Sequence, residues 1–221
     1  MQTERSVLIC IEKITMVKNP ADTKLTILKV ALQLFMENGY KGTSYQDLIK
    51  KTGLSKGAIY HHFKSKEDIL ISVFELMYAA SNETAVFEPE SIVKDEQSFI
   101  KLYIDIKKAQ LKGFKKFLGV KKLNFNKFLF FFEAINENNK LKLFGTEALK
   151  HEIKFVEKCF ICLKKHGKLP KDKPPALLAE SLHYMIEGAG TLKYFTENVE
   201  EEEDWIKMYD KSLKGFFKII K

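Results

Sequence analysis

The stretch "TGLSKGAIYHHFKSKEDIL", residues 52–70, is too short and too polar between its apolar positions to be anchored by helical propensity alone. It carries start signals instead. Ser55 is a candidate N-cap ahead of Lys56, and Ser65 with Asp68 resembles a capping box with Asp in place of the more usual Glu. Just upstream, Ser44 with Asp47 repeats that box, so helices are predicted to begin near residues 45, 56 and 66. Between the first two, Gly53 can take the left-handed conformation that turns a chain sharply within a few residues. Helix, tight glycine turn, helix is a helix-turn-helix. Leu48, Leu54, Ile59 and Phe63 are spaced to pack these short helices on a preceding one, which leaves Lys56, Gly57, Ala58, Tyr60, His61 and His62 facing outward.

A helix that enters the major groove reaches base edges with its N-terminal residues, while flanking polar groups hold phosphates. Lys56 can donate to guanine O6 and N7, and Ala58 is small enough to meet a thymine methyl. Gly57 lets the backbone approach a duplex closely. Tyr60, His61, His62 and Lys66 can hydrogen-bond phosphate oxygens, Lys66 with help from the N-terminus of its own helix. A metal pair at His61 and His62 is disfavoured, because adjacent helical residues point about 100° apart.

Working outward, the preceding helix is announced by "NPAD", where Asn19 can cap, Pro20 suits the first helical position and Asp22 favours the positive end. Leu25, Leu28, Leu32 and Phe35 follow as one apolar stripe that ends at Gly39. Beyond residue 81, "SNETAVFEPES" is a polar break, and 11 of the 18 phenylalanines then fall between residues 99 and 160, which marks a second, aromatic-rich region. Helices are predicted at about 97–112, 124–137, 144–166, 175–196 and 203–220. Helical periodicity throughout makes the fold class all-α.

Composition narrows the function classes. A chain of 221 residues with 45% hydrophobic content can bury a sizeable core, and a formal charge of +8 favours anionic partners such as nucleic acid. Three cysteines, Cys10, Cys159 and Cys162, form no paired framework, so a reducing, cytoplasmic setting is expected; Cys159 and Cys162 read C-x-x-C in a helical context and are expected to be core residues. No secretory signal is visible, and the most apolar run, "FLFFF" at 128–132, is far below the roughly 20 residues a bilayer demands, so no membrane partner is expected. Neither a Ser/His/Asp order, nor HExxH, nor a phosphate-cradling glycine loop is present, and the chain reads as no enzyme, with no cofactor and no metal.

Residues 21–70, "ADTKLTILKVALQLFMENGYKGTSYQDLIKKTGLSKGAIYHHFKSKEDIL", resemble the DNA-binding domain of the tetracycline-repressor (TetR) family, with matching positions that include Ala31, Phe35, Gly39, Tyr40, Thr43, Gly53, Gly57, Tyr60, Phe63 and Lys66. The resemblance implies DNA contacts from Thr43, Tyr45, Ser55, Lys56, Gly57, Ala58, Tyr60, His61, His62 and Lys66. Ile49 and Thr52 stand where such proteins usually carry alanine, which predicts a slightly wider crossing of the two short helices. The implied organisation is an extension over 1–18, a three-helix DNA-binding domain over 19–66, a connecting helix over 67–80, and a helical ligand-binding and dimerisation domain over 81–221. After about residue 80 only the order of helices and the "GKL" before a Pro-started helix still look familial.

A palindromic DNA site read by two identical modules needs a two-fold dimer. Leu178, Leu182, Met185, Ala189 and Leu192 form one stripe and Trp205, Tyr209, Phe216 and Ile220 another. Periodicity does not distinguish a subunit core from an interface; proteins of the family dimerise through these two helices, which implies a homodimer here. The resemblance further implies a small-molecule effector. Phe128, Phe131, Phe132, Phe155 and Cys159 are candidates to line an apolar pocket, with Glu133, His151, Tyr184 and Glu187 to orient a ligand. The resulting expectation is a ligand-responsive repressor of its own or neighbouring genes. The alternatives are an architectural DNA-binding protein without an inducer and, outside DNA binding, a helical lipid carrier or enzyme.

Overall fold

Three serine caps and one left-handed glycine fix the N-terminal helices. The structure is a computed structural model and describes residues 23–81, 87–118, 134–136, 138–196 and 202–220. The first helix, α1 (Thr23–Gly42), leaves helical geometry at Gly39, where the predicted stripe ends. Its predicted start at Asn19 to Asp22 lies outside the described residues. Helix α2 (Tyr45–Thr52) opens on the Ser44–Asp47 box, with the Ser44 amide donating to Asp47 Oδ2 at 2.8 Å and the Asp47 amide donating back to Ser44 Oγ at 3.3 Å. Gly53 then turns the chain at φ 71° and closes α2 through its amide to the Ile49 carbonyl at 2.9 Å. Helix α3 (Lys56–His62) begins where Ser55 Oγ accepts from the Ala58 amide at 3.2 Å, and α4 (Lys66–Ser81) begins on the Ser65–Asp68 box, both of its bonds being 3.0 Å.

Burial holds the four helices together. Ile27, Ala31, Leu32 and Phe35 of α1 close on Leu48 of α2, Ile59 of α3 and Ile69 of α4, all of them without exposed surface. At about 1.5–3 kcal/mol for each large apolar side chain buried, Leu48 and Ile59 anchor the two short helices that could not persist alone. Thr52, one of the two departures from the alanine usual at these places, folds its hydroxyl back to the Leu48 carbonyl at 2.6 Å and accepts from the Leu54 amide at 3.2 Å. It has become part of the turn.

The second region contains α5 (Pro89–Ile92), α6 (Glu96–Leu118), α7 (Asn139–Lys165), α8 (Pro175–Thr196) and α9 (Glu202–Ile220). Helix α6 runs past the predicted end at 112, because the amphipathic pattern continues through a buried Gly113. Helix α7 starts five residues earlier than predicted: Asn138 Oδ1 accepts from the amides of Lys140 and Leu141 and caps it. Of the predicted helix 124–137, residues 134–136 are described and are helical. No strand occurs among the described residues. An aromatic core joins α6, α7 and α9, in which Phe160 stacks on Phe216 at 5.9 Å and Phe99 meets Phe217 edge-on at 5.7 Å. The two regions touch where α7 begins. There Leu141 is fully buried in the N-terminal core and Asn138 donates to Glu67 of α4.

Candidate nucleic-acid interface

Helix α3 buries only Ile59 and turns its remaining surface to solvent: Lys56, Gly57, Tyr60, His61 and His62 are exposed, Ala58 is half-buried and the cap Ser55 is exposed. Tyr60 stacks on Tyr45 of α2 with ring centroids 4.8 Å apart and planes 9° from parallel, and the Lys56 ammonium stands 5.6 Å from the Tyr60 ring. This stack stiffens one flank of the helix and points the Lys56 charge along it. A Cβ added at Gly57 would meet nothing nearer than Ser55 Oγ at 3.9 Å, so the fold itself does not demand glycine here. His61 and His62 are edge-to-face at 5.1 Å, and no group of three metal-ligating side chains occurs among the described residues.

Three candidate contacts are placed differently from the expectation. Thr43 is 1% exposed, and its hydroxyl donates to the Gly39 carbonyl at 2.9 Å, so it closes the end of α1 rather than facing outward. Tyr45 gives its ring to the stack while its hydroxyl is buried, and burial raises its pKa. Lys66 bends back into the protein: its ammonium donates to the carbonyls of Tyr40 and Thr43, both at 2.8 Å, and lies 4.4 Å from the Tyr40 ring. Partial desolvation lowers its pKa. The physical reason is that the α1–α2 turn offers its carbonyls few backbone donors, the Tyr40 carbonyl receiving the Thr43 amide at 3.3 Å, and the Lys66 ammonium supplies the further donor.

The expected dimer stripe also needs correction. Leu178, Leu182 and Phe216 are buried within one subunit's core, and Met185, Tyr209 and Ile220 pack against that same core. Ala189 and Trp205 are half-buried, and a Cβ on Gly190 would come within 3.3 Å of the Trp205 ring, so these residues set how closely α8 and α9 approach each other. Of the predicted stripe only Leu192 stands clear. The outward apolar line joins Leu192 (66% exposed) to Leu177 (56%) and Tyr184 (61%) on α8 and Ile219 (78%) on α9, the last three each one residue before a member of the predicted stripe.

Among the described residues, the predicted pocket side chains are not brought together. Phe155 and Cys159 are sealed in the core with Cys162, burial raising both thiol pKa values; His151, Tyr184 and Glu187 are exposed; Phe128, Phe131, Phe132 and Glu133 lie outside the described residues. The structure instead gathers a polar cluster that spacing could not reveal, because its members come from four helices. Lys107 of α6 donates to Glu152 Oε1 of α7 at 2.6 Å, and Tyr103, one turn before Lys107, donates to the same oxygen at 3.3 Å. The Lys107 ammonium faces the rings of Tyr103 and of Tyr209 from α9, at 5.3 and 5.7 Å. His183 of α8 completes the group. Burial alone would neutralise both charges, but the pair overrides it: the Lys107 pKa is raised and that of Glu152 is lowered.

An exposed second helix set on a glycine turn is a helix-turn-helix, the form in which many proteins present a helix to the major groove. Residues 27–73 match the family model "Bacterial regulatory proteins, tetR family", so this segment is similar to the DNA-binding domain of that family. Among curated proteins the chain is 32% identical over 98 residues to the uncharacterized HTH-type transcriptional regulator YerO of Bacillus subtilis, covering 44% of this chain and 34% of that one. It is 44% identical over 55 residues to the HTH-type transcriptional regulator AcrR of Shigella flexneri, covering 25% and 26%. These matches thus span about a third or less of the curated relatives. The fold is similar to that of a TetR-family transcriptional regulator from Mesorhizobium loti, at a TM-score of 0.67 and 20% identity over 91% of this chain and 98% of that one. All three relatives carry the name of transcriptional regulator. No described helix is long and apolar enough to cross a membrane.

Proposed function

We propose that the chain is a cytoplasmic transcriptional repressor that binds a palindromic operator as a homodimer and is released by a small apolar or aromatic ligand. The observation that carries this reading is the surface of α3: a helix whose only buried side chain is Ile59 and which presents a lysine, an unhindered glycine, a small alanine and three polar aromatic groups in seven residues. Ser55, Lys56, Gly57, Ala58, Tyr60, His61 and His62 form the contact set. Thr43, Tyr45 and Lys66 shape the platform beneath it. The exposed line of Leu177, Tyr184, Leu192 and Ile219 supports pairing of α8 and α9 with a second copy.

Control follows from the junction of the two regions. Because Leu141 and Asn138 of α7 pack on the N-terminal core and on α4, a ligand that prefers one placement of α7 shifts the spacing of the two heads. It can do so only by as much as its affinities for the two placements differ. Selection of genomic DNA fragments by the full chain tests the reading. Enrichment of one inverted repeat is expected, whereas binding without sequence preference would favour the architectural alternative and no binding would end the proposal.

A further inference from the structure

A cleft of about 710 Å³ opens between α6 and α9. That volume lies within the range of small-molecule sites, about 300–1,000 Å³. Its floor is apolar: Ile104 of α6 is buried in the aromatic core, and Ile206 of α9 packs against that core. Its walls are charged, with Lys108 and Lys115 on α6 facing Glu202, Glu203, Lys207 and Asp210 on α9. An apolar floor between charged walls suits an amphipathic molecule.

The two signs of charge are not equally engaged. Lys115 pairs with Glu202 and ties α6 to the first turn of α9; Lys207 pairs with Glu203 at 3.0 Å, and Asp210 with Lys214 at 2.7 Å. Every carboxylate of the cleft thus has its lysine. Lys108 has no acid partner among the described residues, since Asp105 and Glu152, the acids nearest along α6 and across it, take Lys101 and Lys107. What the fold leaves over is one ammonium beside an apolar floor. A cation entering the cleft must compete with a lysine for its carboxylate, whereas an anion completes a pair that is open. An exposed ion pair is weak by itself, so the floor holds the body of the ligand and Lys108 selects its sign.

The cleft also has a route to the DNA-binding half. Leu111, less than one turn after Lys108, packs against the N-terminal core, and α6 touches α1. A molecule held between α6 and α9 therefore bears on a helix that the N-terminal core rests on.

We propose that the α6–α9 cleft binds a small organic carboxylate with an apolar body, Lys108 taking the carboxylate and Ile104 and Ile206 the body, and that this molecule is the effector. The inference rests on the ligand-responsive reading and specifies its site and ligand class. Three probes of similar shape and different charge test it on the full chain: hydrocinnamate, phenethyl alcohol and phenethylamine, each titrated by calorimetry without DNA. Hydrocinnamate is expected to bind at least about fivefold more tightly than either of the others. Lys108→Gln should remove that preference and leave binding of the alcohol unchanged. Lys112→Gln, at an exposed lysine of the same helix that does not line the cleft, should leave the preference intact. Both replaced side chains are exposed, so the fold is expected to tolerate them, and the wild-type comparison stands even if a variant folds poorly. Tightest binding of the amine or the alcohol, a preference that survives Lys108→Gln, or no binding of hydrocinnamate up to about 10 mM overturns the inference. Release of the selected operator is measured separately with the same probes. Hydrocinnamate should weaken operator binding in the wild type and not in Lys108→Gln; if it fills the cleft and leaves the DNA bound, the effector assignment falls while the repressor reading stands. If no operator is selected at all, that reading fails, and the calorimetry still decides the cleft.

Discussion

The ammonium of Lys66 lies 2.8 Å from the carbonyl oxygen of Tyr40 and 4.4 Å from the centre of that residue's ring. The first residue of α4 is thereby fastened to the end of α1, with a second bond to Thr43. Lys66→Met should weaken binding to all DNA sequences alike through a displaced α3, and should lower the unfolding free energy by about 1–3 kcal/mol, the cost of stripping a charged donor from buried carbonyls. The slope of log affinity against log salt should stay unchanged. Were Lys66 bound to a phosphate, the slope would flatten by about 0.9 for each phosphate no longer neutralised, and a flattened slope with unaltered melting would return Lys66 to the DNA.

Gly57 offers a cleaner separation of folding from binding. Since a Cβ there meets only Ser55 Oγ at 3.9 Å, Gly57→Ala should raise the stability of the free protein by about 0.5–1 kcal/mol through helix propensity. Operator affinity should nevertheless fall, because the added methyl stands between backbone and duplex. Melting temperature and operator titration on the same sample decide it; a variant more stable and equally tight would place α3 farther from the DNA.

Lys56 is expected to act on specificity. Lys56→Ala should cost about 1–3 kcal/mol on the selected operator and relax the choice at one base pair in each half-site. A uniform loss across sequences would instead make it a phosphate contact.

The local devices of the N-terminal half were legible because each is written within four residues: the Ser44–Asp47 box, the Ser55 cap, the Ser65–Asp68 box and the turn at Gly53 all form as read. What failed to show was anything settled across helices. Lys66 and Tyr40 are 26 residues apart, and no pattern in the sequence tells an inward lysine from an outward one. On α8, neighbouring Leu177 and Leu178 differ only in which side of the helix meets the core, and a stripe built from the wider apolar choice selected the buried one. The Lys107–Glu152 pair, 45 residues apart, was hidden for the same reason.

The displaced stripe on α8 predicts a difference between two leucines. Leu192→Glu, with Tyr184→Glu as a second site, should shift the full chain from dimer to monomer in sedimentation while leaving its helix content intact. Leu182→Ala should do the reverse, keeping association but destabilising the fold by about 2–5 kcal/mol through the cavity it leaves. A dimer that survives both glutamate substitutions would move the interface elsewhere.

The Glu152–Lys107 pair makes stability depend on pH in a definite direction. Lys107 and the Tyr103 hydroxyl hold the Glu152 carboxyl below its usual value of 4.5 even though burial pushes it upward. A group whose folded pKa is depressed stabilises the protein above its unfolded pKa, and that contribution is lost as pH falls through the folded value. Glu152→Gln should therefore be destabilised by about 3 kcal/mol near neutral pH, since it leaves Lys107 buried without its partner. The difference from wild type should hold steady down to about pH 4.5 and shrink below it as Glu152 itself takes up a proton. Because other carboxylates titrate in the same range, the quantity to measure is the gap between the two proteins in urea unfolding at each pH. The double variant Lys107→Met, Glu152→Leu supplies the control: with both charges gone it should regain most of the lost stability and show no gap that closes in acid. A gap that persisted unchanged at low pH would mean that Glu152 contributes by packing alone.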